Sequence, residues 1–157
     1  MDSEYYMKIA LKQAQKAFES DEVPVGAVVV EPKSGKIIAK ACNKSEHGES
    51  AMAHAEILAM NKACKKLKQN RLWDLDLYVT LEPCTMCAAA ISVMRVRRVC
   101  FGAVDEKGGA VVSGVRFFES KTCHHKPVVE CGILQDDCSK ILKKFFSDKR
   151  IFNKSKI

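Results

Sequence analysis

Apolar residues recur along the chain at two spacings, and each spacing predicts one type of element. In four segments they return every three or four residues, so that they line one side of an α-helix. The predicted helices span residues 3–19, 52–69, 84–94 and 136–150. Asp2 or Ser3 is expected to cap the first helix. The residues expected to face inward are Ala53, Ile57, Met60, Cys64 and Leu67 in the second helix, and Ile141, Leu142, Phe145 and Phe146 in the last.

Short runs of β-branched and other apolar residues between these helices predict strands. Residues 25–31 and 36–41 flank the turn sequence PKSG and predict a β-hairpin. Residues 75–81 are apolar almost throughout, which is typical of a central strand that is covered on both faces. Residues 95–103 predict a further strand. The segment 115–135 is ambiguous, with one short strand and turn expected in KPVVECGIL.

The order of these elements indicates the fold class. Strands and helices alternate as α β β α β α β (β) α, which favours an α/β protein with helices on both faces of its sheet. The two βαβ connections should be right-handed, which makes the later strands parallel neighbours. We expect three α/β/α layers around a central mixed five-stranded sheet, with residues 1–157 forming a single domain.

Composition narrows the class of protein. A length of 157 residues suits one domain with its own core. No uninterrupted apolar run approaches the ~20 residues of a membrane helix. The N-terminal sequence MDSEYYMKIALKQAQKAFES has acids and scattered lysines instead of the apolar block of a signal peptide. We therefore expect a cytoplasmic protein without a membrane partner, whose eight cysteines are thiols and metal ligands rather than a disulfide framework.

The chain is basic, with a formal net charge of +7. This charge suits a polyanionic partner such as nucleic acid, but it suits a merely basic soluble protein equally well. Basic residues dominate the C-terminal segment, where Asp148 is the single acid after residue 139. They form either the solvated face of a helix or a phosphate-binding edge. They are Lys140, Lys143, Lys144, Lys149, Arg150, Lys154 and Lys156.

Cys84 and Cys87 form a C-x-x-C pair behind a proline, at the start of a predicted helix. Two thiolates in this position can turn toward one point, and the helix N-terminus lowers their pKa. By itself the pair fits a redox motif, half of a four-cysteine structural zinc site, or chance. The remaining cysteines supply no second C-x-x-C pair, which argues against the four-cysteine site.

His54 is the more plausible third ligand. It begins the second helix, and parallel βα units bring the N-termini of their helices to one edge of the sheet, where Cys84 and Cys87 also lie. Three protein ligands leave a fourth position for water, which is the catalytic pattern of zinc, whereas structural sites are closed. Zinc lowers the pKa of its bound water toward about 7, and Glu56 is placed to move the proton. The alternative is a closed zinc site, or a buried histidine beside idle thiols.

The sequences HAE (residues 54–56) and PCTMC (residues 83–87) resemble the signature of the zinc-dependent nucleoside and cytidine deaminase superfamily. The similarity covers nearly the whole chain and is greatest to the bacterial tRNA-specific adenosine deaminases. The segments that carry it are EVPVGAVVV, Asn43, AHAEILAM, LYVTLEPCTMCAAA, FGAVDEKGGA, ECGIL and FFSDKR. The resemblance implies a cytidine deaminase-like fold and hydrolytic conversion of adenosine to inosine at the wobble position (34) of a tRNA anticodon.

The same resemblance implies roles for individual residues. One zinc ion per subunit would be held by one histidine and two cysteines, a glutamate would shuttle the proton, and four residues would contact or wall the flipped nucleotide. The family is homodimeric, and its tRNA, bound through the anticodon stem-loop, contacts both subunits. The implied positions are His54, Cys84 and Cys87 for the metal, Glu56 for catalysis, Asn43, Val25, Pro83 and Asp105 for the substrate, and Lys107, Lys144, Lys149 and Arg150 for RNA.

Other interpretations remain open at this point. A deaminase of a free base or nucleoside, of guanine or cytosine type, would share the zinc site but need no polyanion-binding groove. A silent partner or zinc-stabilised nucleic-acid binder should have lost the acid at Glu56. Asp105 can also be explained as a turn former before KGG.

Two further groups of residues have simpler explanations than metal binding. Cys123, His124, His125 and Cys131 suggest a second metal site, but we interpret them as surface loop residues, with one histidine as a further RNA contact. Small core or half-buried side chains are expected at Cys42, Cys64, Cys100 and Cys138.

Overall fold

The structure is a computed structural model that describes residues 2–48 and 50–155, so that Lys156 lies outside the described residues. Four helices and five strands follow one another along the chain, and a single 3-10 turn lies at Phe117–Glu119 in the described part. In chain order they are α1 Ser3–Glu19, β1 Gly26–Glu31, β2 Lys36–Cys42, α2 Ala55–Leu67, β3 Asp76–Leu81, α3 Thr85–Val93, β4 Arg98–Ala103, β5 Val128–Cys131 and α4 Gln135–Ser155.

The strands form one mixed sheet in the order β2-β1-β3-β4-β5. β1 is antiparallel to both of its neighbours, whereas β3, β4 and β5 are parallel to one another. The predicted five-stranded mixed sheet with parallel later strands is therefore confirmed. Because β1 runs opposite to β3, the start of β1 and the ends of β3 and β4 lie at the same edge of the sheet.

Alternate side chains of each strand face opposite layers of helices. In β1, Val29 packs in the cluster that contains α2 and α3, and Val28 packs in the cluster that contains α1 and α4. Both sides of β3 are buried, as expected for a central strand, and Tyr78 and Val79 are fully inaccessible. The predicted three-layer α/β/α arrangement is thus confirmed.

α1 begins and ends as predicted, but α2 is shorter than predicted. Asp2 caps α1 by accepting a hydrogen bond from the backbone N–H of Glu4 at 3.0 Å. α2 starts at Ala55 instead of residue 52, because His54 is extended and occupies the N-cap position. Met60 is buried in the core, and Ile57, Cys64 and Leu67 are half-buried and pack against it, so that these predicted inward positions are confirmed. The buried residues of α2 are Ala55, Glu56, Ala59, Met60 and Ala63.

The last helix differs from its prediction at one inward position and at its end. α4 continues to Ser155, five residues further than predicted. Phe145 is buried, and it packs edge-on against Phe18 of α1 with 5.9 Å between the ring centroids. Phe146 was predicted to face inward and is 45% exposed, so that this prediction is wrong. α4 packs against both α1 and the sheet, and the ring of Phe146 lies edge-on to that of Phe145 outside this buried face.

Within residues 2–48 and 50–155, no helix combines the length and the apolar character needed to cross a bilayer.

Candidate metal centre and pocket

The three predicted metal ligands come from the starts of two helices. His54 is the N-cap of α2, and Cys84 is the N-cap of α3. Cys87 lies in the first turn of α3 and is completely buried. α2 follows the end of β2, and α3 follows the end of β3. Because both strands run antiparallel to β1, both helix N-termini lie at the edge of the sheet where β1 begins. The sheet topology therefore brings His54 to the two cysteines across thirty residues of sequence.

The spacing of the donor atoms fits a tetrahedral metal ion. Nδ1 of His54 is 3.7 Å from Sγ of Cys84 and 3.5 Å from Sγ of Cys87. The three donor atoms all lie within 4.8 Å of one another. Zinc–nitrogen and zinc–sulfur bonds of ordinary length at tetrahedral angles would place nitrogen and sulfur about 3.6 Å apart. Among the described residues, this is the one group of histidine, cysteine and acidic side chains found with such proximity.

The protonation of the two thiols is set by their mutual contact. The hydrogen bond from Cys87 and the nearby His54 lower the pKa of the Cys84 thiol to about 4. The same contact with Cys84, together with burial, raises the pKa of Cys87. The hydrogen bond with Cys84 also raises the pKa of His54. Without a metal, these shifts favour a Cys84 thiolate beside a protonated His54 ring, and a bound cation would favour release of the His54 proton and ionisation of the second thiol.

Glu56 is buried next to this group of donors. Its side chain is on the first turn of α2, and only 4% of the residue is exposed. Burial raises the pKa of the Glu56 carboxyl, and contact with His54 and Cys87 opposes this effect. A carboxyl group with a raised pKa at the edge of a cavity is suited to accept and return a proton near neutral pH.

A cavity of about 270 Å³ opens onto two of the three donor residues, His54 and Cys84. This volume is close to the lower end of the range for small-molecule pockets, about 300 Å³. Three of the predicted substrate residues line it, namely Val25, Asn43 and Asp105, and so do Glu56, His54 and Cys84. Pro83 is buried and is not among the described residues that line the cavity; its carbonyl accepts a hydrogen bond from Ala110 N–H at 2.9 Å.

The loop that carries Asn43 is anchored by a buried acid that sequence reasoning missed. Glu22 lies between α1 and β1 and accepts hydrogen bonds from the backbone N–H groups of Glu46 at 2.9 Å and His47 at 2.7 Å. The backbone N–H of Asn43 donates to Val25 O at 3.0 Å. These bonds hold one wall of the cavity against the start of β1.

The opposite wall is anchored by a second buried acid that sequence reasoning missed. Glu82 follows β3 and accepts hydrogen bonds from backbone N–H groups of the loop after β4. Burial acts to raise the pKa of Glu82, but the bonds from Asp105, Val111 and Ser113 outweigh it and the pKa is lowered. The sequence signal available was an acid placed directly after the end of a buried strand.

Asp105 both forms a turn and lines the cavity. Its Oδ1 accepts hydrogen bonds from the N–H groups of Lys107 at 3.1 Å and Gly108 at 3.0 Å, which forms a turn. Asp105 and Gly108 also line the cavity. The turn and the cavity wall are therefore the same piece of backbone.

The four candidate RNA contacts lie in two places. Lys107 is exposed on the loop after β4, next to the cavity. The other three are on α4, where Lys144 lies 3.3 Å from Asp148, Lys149 pairs with Asp21, and Arg150 is exposed. Asp21 also lies 3.2 Å from the His47 ring, so that it connects α4 to the loop bearing Asn43.

The residues suspected of a second metal site are dispersed. Cys123 is buried against the hydroxyl of Ser92, which contradicts its interpretation as a surface residue. His125 is half-buried and lies 2.6 Å from the carbonyl oxygen of Val96. His124 and Cys131 are exposed, as expected.

The remaining thiols match their prediction. Cys100 and Cys138 are buried, and Cys42 and Cys64 are half-buried.

The sequence matches the family model of the MafB19-like deaminases over residues 1–150. It is 52% identical over 147 residues to the tRNA-specific adenosine deaminase of Agrobacterium fabrum, an alignment that covers 94% of this chain and 95% of that protein.

Two solved structures resemble this fold. One comes from studies of A-to-I editing by tRNA:A34 deaminases at the wobble position of transfer RNA. It has a TM-score of 0.85 and 52% identity, and the match covers 88% of this chain and 99% of that one. The second is the guanine deaminase of Nitrosomonas europaea, with a TM-score of 0.75, 26% identity, and coverage of 90% and 83%.

Proposed function

The chain belongs to the family of MafB19-like deaminases, and from this premise we propose that it converts adenosine to inosine at the wobble position (34) of a tRNA anticodon. The predicted family, enzyme class and cytidine deaminase-like fold are confirmed by the comparisons. The observation that carries the choice of substrate is the 52% identity, over nearly the full length of both chains, to a tRNA-specific adenosine deaminase.

The chemistry is supported by the site itself. We propose that His54, Cys84 and Cys87 hold one zinc ion per subunit. Bound there, zinc would supply Lewis acidity that lowers the pKa of water enough to provide hydroxide near neutral pH. The donor spacing and the family both favour this ion.

Glu56 is proposed to carry the proton through the reaction. Deamination joins the oxygen of water to C6 of adenine and releases the amino group as ammonia. Glu56 would first take a proton from water, then deliver it to N1 of the ring, and finally assist protonation of the leaving amine. Its burial beside His54 and its place on the cavity wall support this role.

The cavity residues are proposed to hold the extruded base. Asn43 would hydrogen-bond the flipped nucleotide, and Val25 would contribute to the wall around it, while Pro83 would support the wall through the bond that its carbonyl accepts from Ala110 N–H. Asp105 would contact the ribose or backbone next to the target. A base in an anticodon loop is unpaired, so that its extrusion costs less than in a duplex.

The proposals for RNA binding and assembly follow from the family and the charge. Lys107, Lys144, Lys149 and Arg150 are proposed to contact the anticodon stem-loop, because they lie beside the cavity or on the basic helix α4. We further propose a single deaminase domain over residues 1–157, which forms a homodimer and acts in the cytoplasm.

A deaminase of free guanine or cytosine is the less supported alternative. The guanine deaminase structure shares the fold at 26% identity, half the value for the tRNA:A34 deaminase structure.

The purified protein should be incubated in parallel with a tRNA anticodon stem-loop that has adenosine at position 34, and with free adenosine, guanine and cytosine. We expect inosine at position 34 and no conversion of the free compounds, measured by nuclease digestion and mass spectrometry. A stem-loop with guanosine at position 34 is the matched substrate control. Ammonia released from free guanine, without inosine in the RNA, would contradict the proposed function.

A further inference from the structure

Glu82 is buried at the end of β3, where 2% of the residue is exposed. Its carboxylate is the centre of a fan of hydrogen bonds from the loop after β4. Oε1 accepts from Asp105 N–H at 3.0 Å and from the Ser113 hydroxyl at 3.0 Å. Oε2 accepts from Val111, Val112 and Ser113 N–H groups at 3.0, 2.9 and 3.0 Å.

The chain between the first and last of these donors folds around the carboxylate. In addition, a backbone hydrogen bond from Ala110 N–H to Pro83 O at 2.9 Å ties the same loop to the residue after Glu82. The loop turns at Asp105, and Asp105 and Gly108 face the cavity. The carboxylate thus sets the position of one wall of the pocket.

Gly109 supplies an independent observation. A Cβ atom at this position would lie 2.4 Å from Cδ of Glu82 and 2.5 Å from the carbonyl oxygen of Asp105. The loop can close over the carboxylate only because residue 109 has no side chain. The contact between the loop and the Glu82 carboxylate therefore requires a glycine at position 109.

We infer that Glu82 is a positioning residue for substrate binding, which holds the loop of residues 105–113 so that Asp105 and Gly108 face the bound nucleotide. It acts through that loop and not on the reacting atoms. The inference rests on the proposed function, because the nucleotide is the ligand of that function.

The test compares Glu82→Gln and Gly109→Ala with the wild-type protein. Glu82→Gln keeps the shape of the side chain but replaces one acceptor oxygen by an NH₂ group, which faces N–H donors. Gly109→Ala leaves the carboxylate in place and pushes the loop away from it. We expect both variants to raise KM for the stem-loop about tenfold, with kcat within about threefold of wild type.

This division between KM and kcat separates positioning from simple loss of structure. A variant that is only less stable has a smaller active fraction, which lowers the apparent kcat and leaves KM unchanged. Glu119→Gln is the matched control, because it removes the same charge from an exposed side chain. Its KM and kcat should equal those of wild type. A lowered kcat at unchanged KM in both test variants would overturn the inference.

A second measurement does not depend on the substrate. Amide hydrogen exchange should be faster in residues 105–113 of Glu82→Gln, while α2 and α3 keep their wild-type protection. Unchanged protection of the loop, or lost protection throughout the protein, would overturn the inference. If Glu82→Gln does not fold, Gly109→Ala decides by the same two measurements. Failure of the wild-type protein to form inosine would contradict the proposed function, and the exchange result would still test the position of the loop.

Discussion

Three buried glutamates at the pocket edge differ in what surrounds their carboxylates. Glu22 and Glu82 accept hydrogen bonds from backbone N–H groups and hold the two walls of the cavity. Glu56 and Glu82 both line the cavity, but Glu56 lies beside the candidate metal ligands, and burial raises its pKa. The same residue type therefore serves as an anchor in two places and has the proposed role of proton carrier in the third.

Replacing Glu56 should separate metal binding from turnover. We expect Glu56→Gln to retain zinc and to lose between about 10²-fold and 10⁴-fold in kcat, because the proton transfers lose their carboxylate while the three donors remain. Metal content by mass spectrometry and the rate of inosine formation are the two readouts. Cys87→Ala is the contrasting variant, in which the metal should also be lost. Loss of zinc from Glu56→Gln would contradict the assigned role.

The buried thiols should make the protein less stable in alkali. Burial raises the pKa of Cys138 to about 12 and that of Cys100 to about 11, from an ordinary value of 9.0. A raised pKa in the folded state stabilises the protein fully below pH 9, and this contribution is lost as the pH rises toward these values. Each thiol should contribute a slope of up to about 1.4 kcal/mol per pH unit above pH 9.

Urea unfolding between pH 8 and pH 11 measures this loss. The free energy of unfolding of Cys138→Ala should fall less steeply with pH than that of wild type. Cys131→Ala changes an exposed cysteine and should keep the wild-type slope. Equal slopes in all three proteins would contradict the prediction.

Among the elements, α1 and β1 pack closely against each other at Gly26. A Cβ atom on Gly26, the first residue of β1, would lie 1.9 Å from the carbonyl oxygen of Ala10 and 2.6 Å from the backbone nitrogen of Ala14. α1 therefore rests with its own backbone on the start of the strand. The backbone N–H of Gly26 also donates to Oγ1 of Thr80 in β3 at 3.1 Å, so that three elements meet at this residue.

Gly26→Ala should destabilise the protein by about 3 kcal/mol, because the α1 backbone at Ala10 and Ala14 has to move away from the new methyl group. Chemical denaturation with circular dichroism measures the change. Lys36→Ala, at an exposed position of β2, is the control and should change stability by less than about 0.5 kcal/mol. Wild-type stability in Gly26→Ala would show that α1 does not pack this closely.

In the molecule as a whole, the basic helix α4 is connected through Asp21 to the loop that carries Asn43. The net charge is +7, and α4 brings basic residues to the same side as Asp21 and the loop that carries Asn43. A polyanion bound at the cavity would meet these cations, and its binding would release counterions. The hairpin turn between β1 and β2 lies at the opposite edge of the sheet from the cavity, because β1 begins at the cavity edge.

The salt dependence of RNA binding should report these contacts. Arg150→Gln is expected to reduce the slope of log Kd against log salt concentration for the anticodon stem-loop by about 0.7, since one phosphate contact is lost. Lys33→Gln removes one charge in the distant hairpin turn and should leave the slope unchanged. Fluorescence anisotropy at salt concentrations between about 50 and 300 mM measures the slopes of both variants. Equal slopes for Arg150→Gln and wild type would contradict this phosphate contact.

Local patterns along the chain were enough to predict most of the elements and to select the candidate metal ligands. The period of apolar residues gave α1 and the strand ends to within one to three residues, since it reflects which side of each element is buried. His54, Cys84 and Cys87 could be recognised because each stands at the start of a helix that follows a strand, and topology then brings such starts together. Family resemblance supplied the substrate, which periodicity cannot reveal.

Features that depend on the packing of distant segments were not predictable in this way. Glu82 and Glu22 become anchors only when loops from elsewhere in the chain turn their N–H groups toward them, and nothing in the neighbouring sequence announces those donors. Phe146 and Cys123 were misplaced for the same reason, because their burial depends on which helix or loop lies across from them. The sequence by itself thus determined which residues are candidates for metal binding and proton transfer. Long-range contacts in the tertiary structure determined how the walls of the cavity around these residues are anchored.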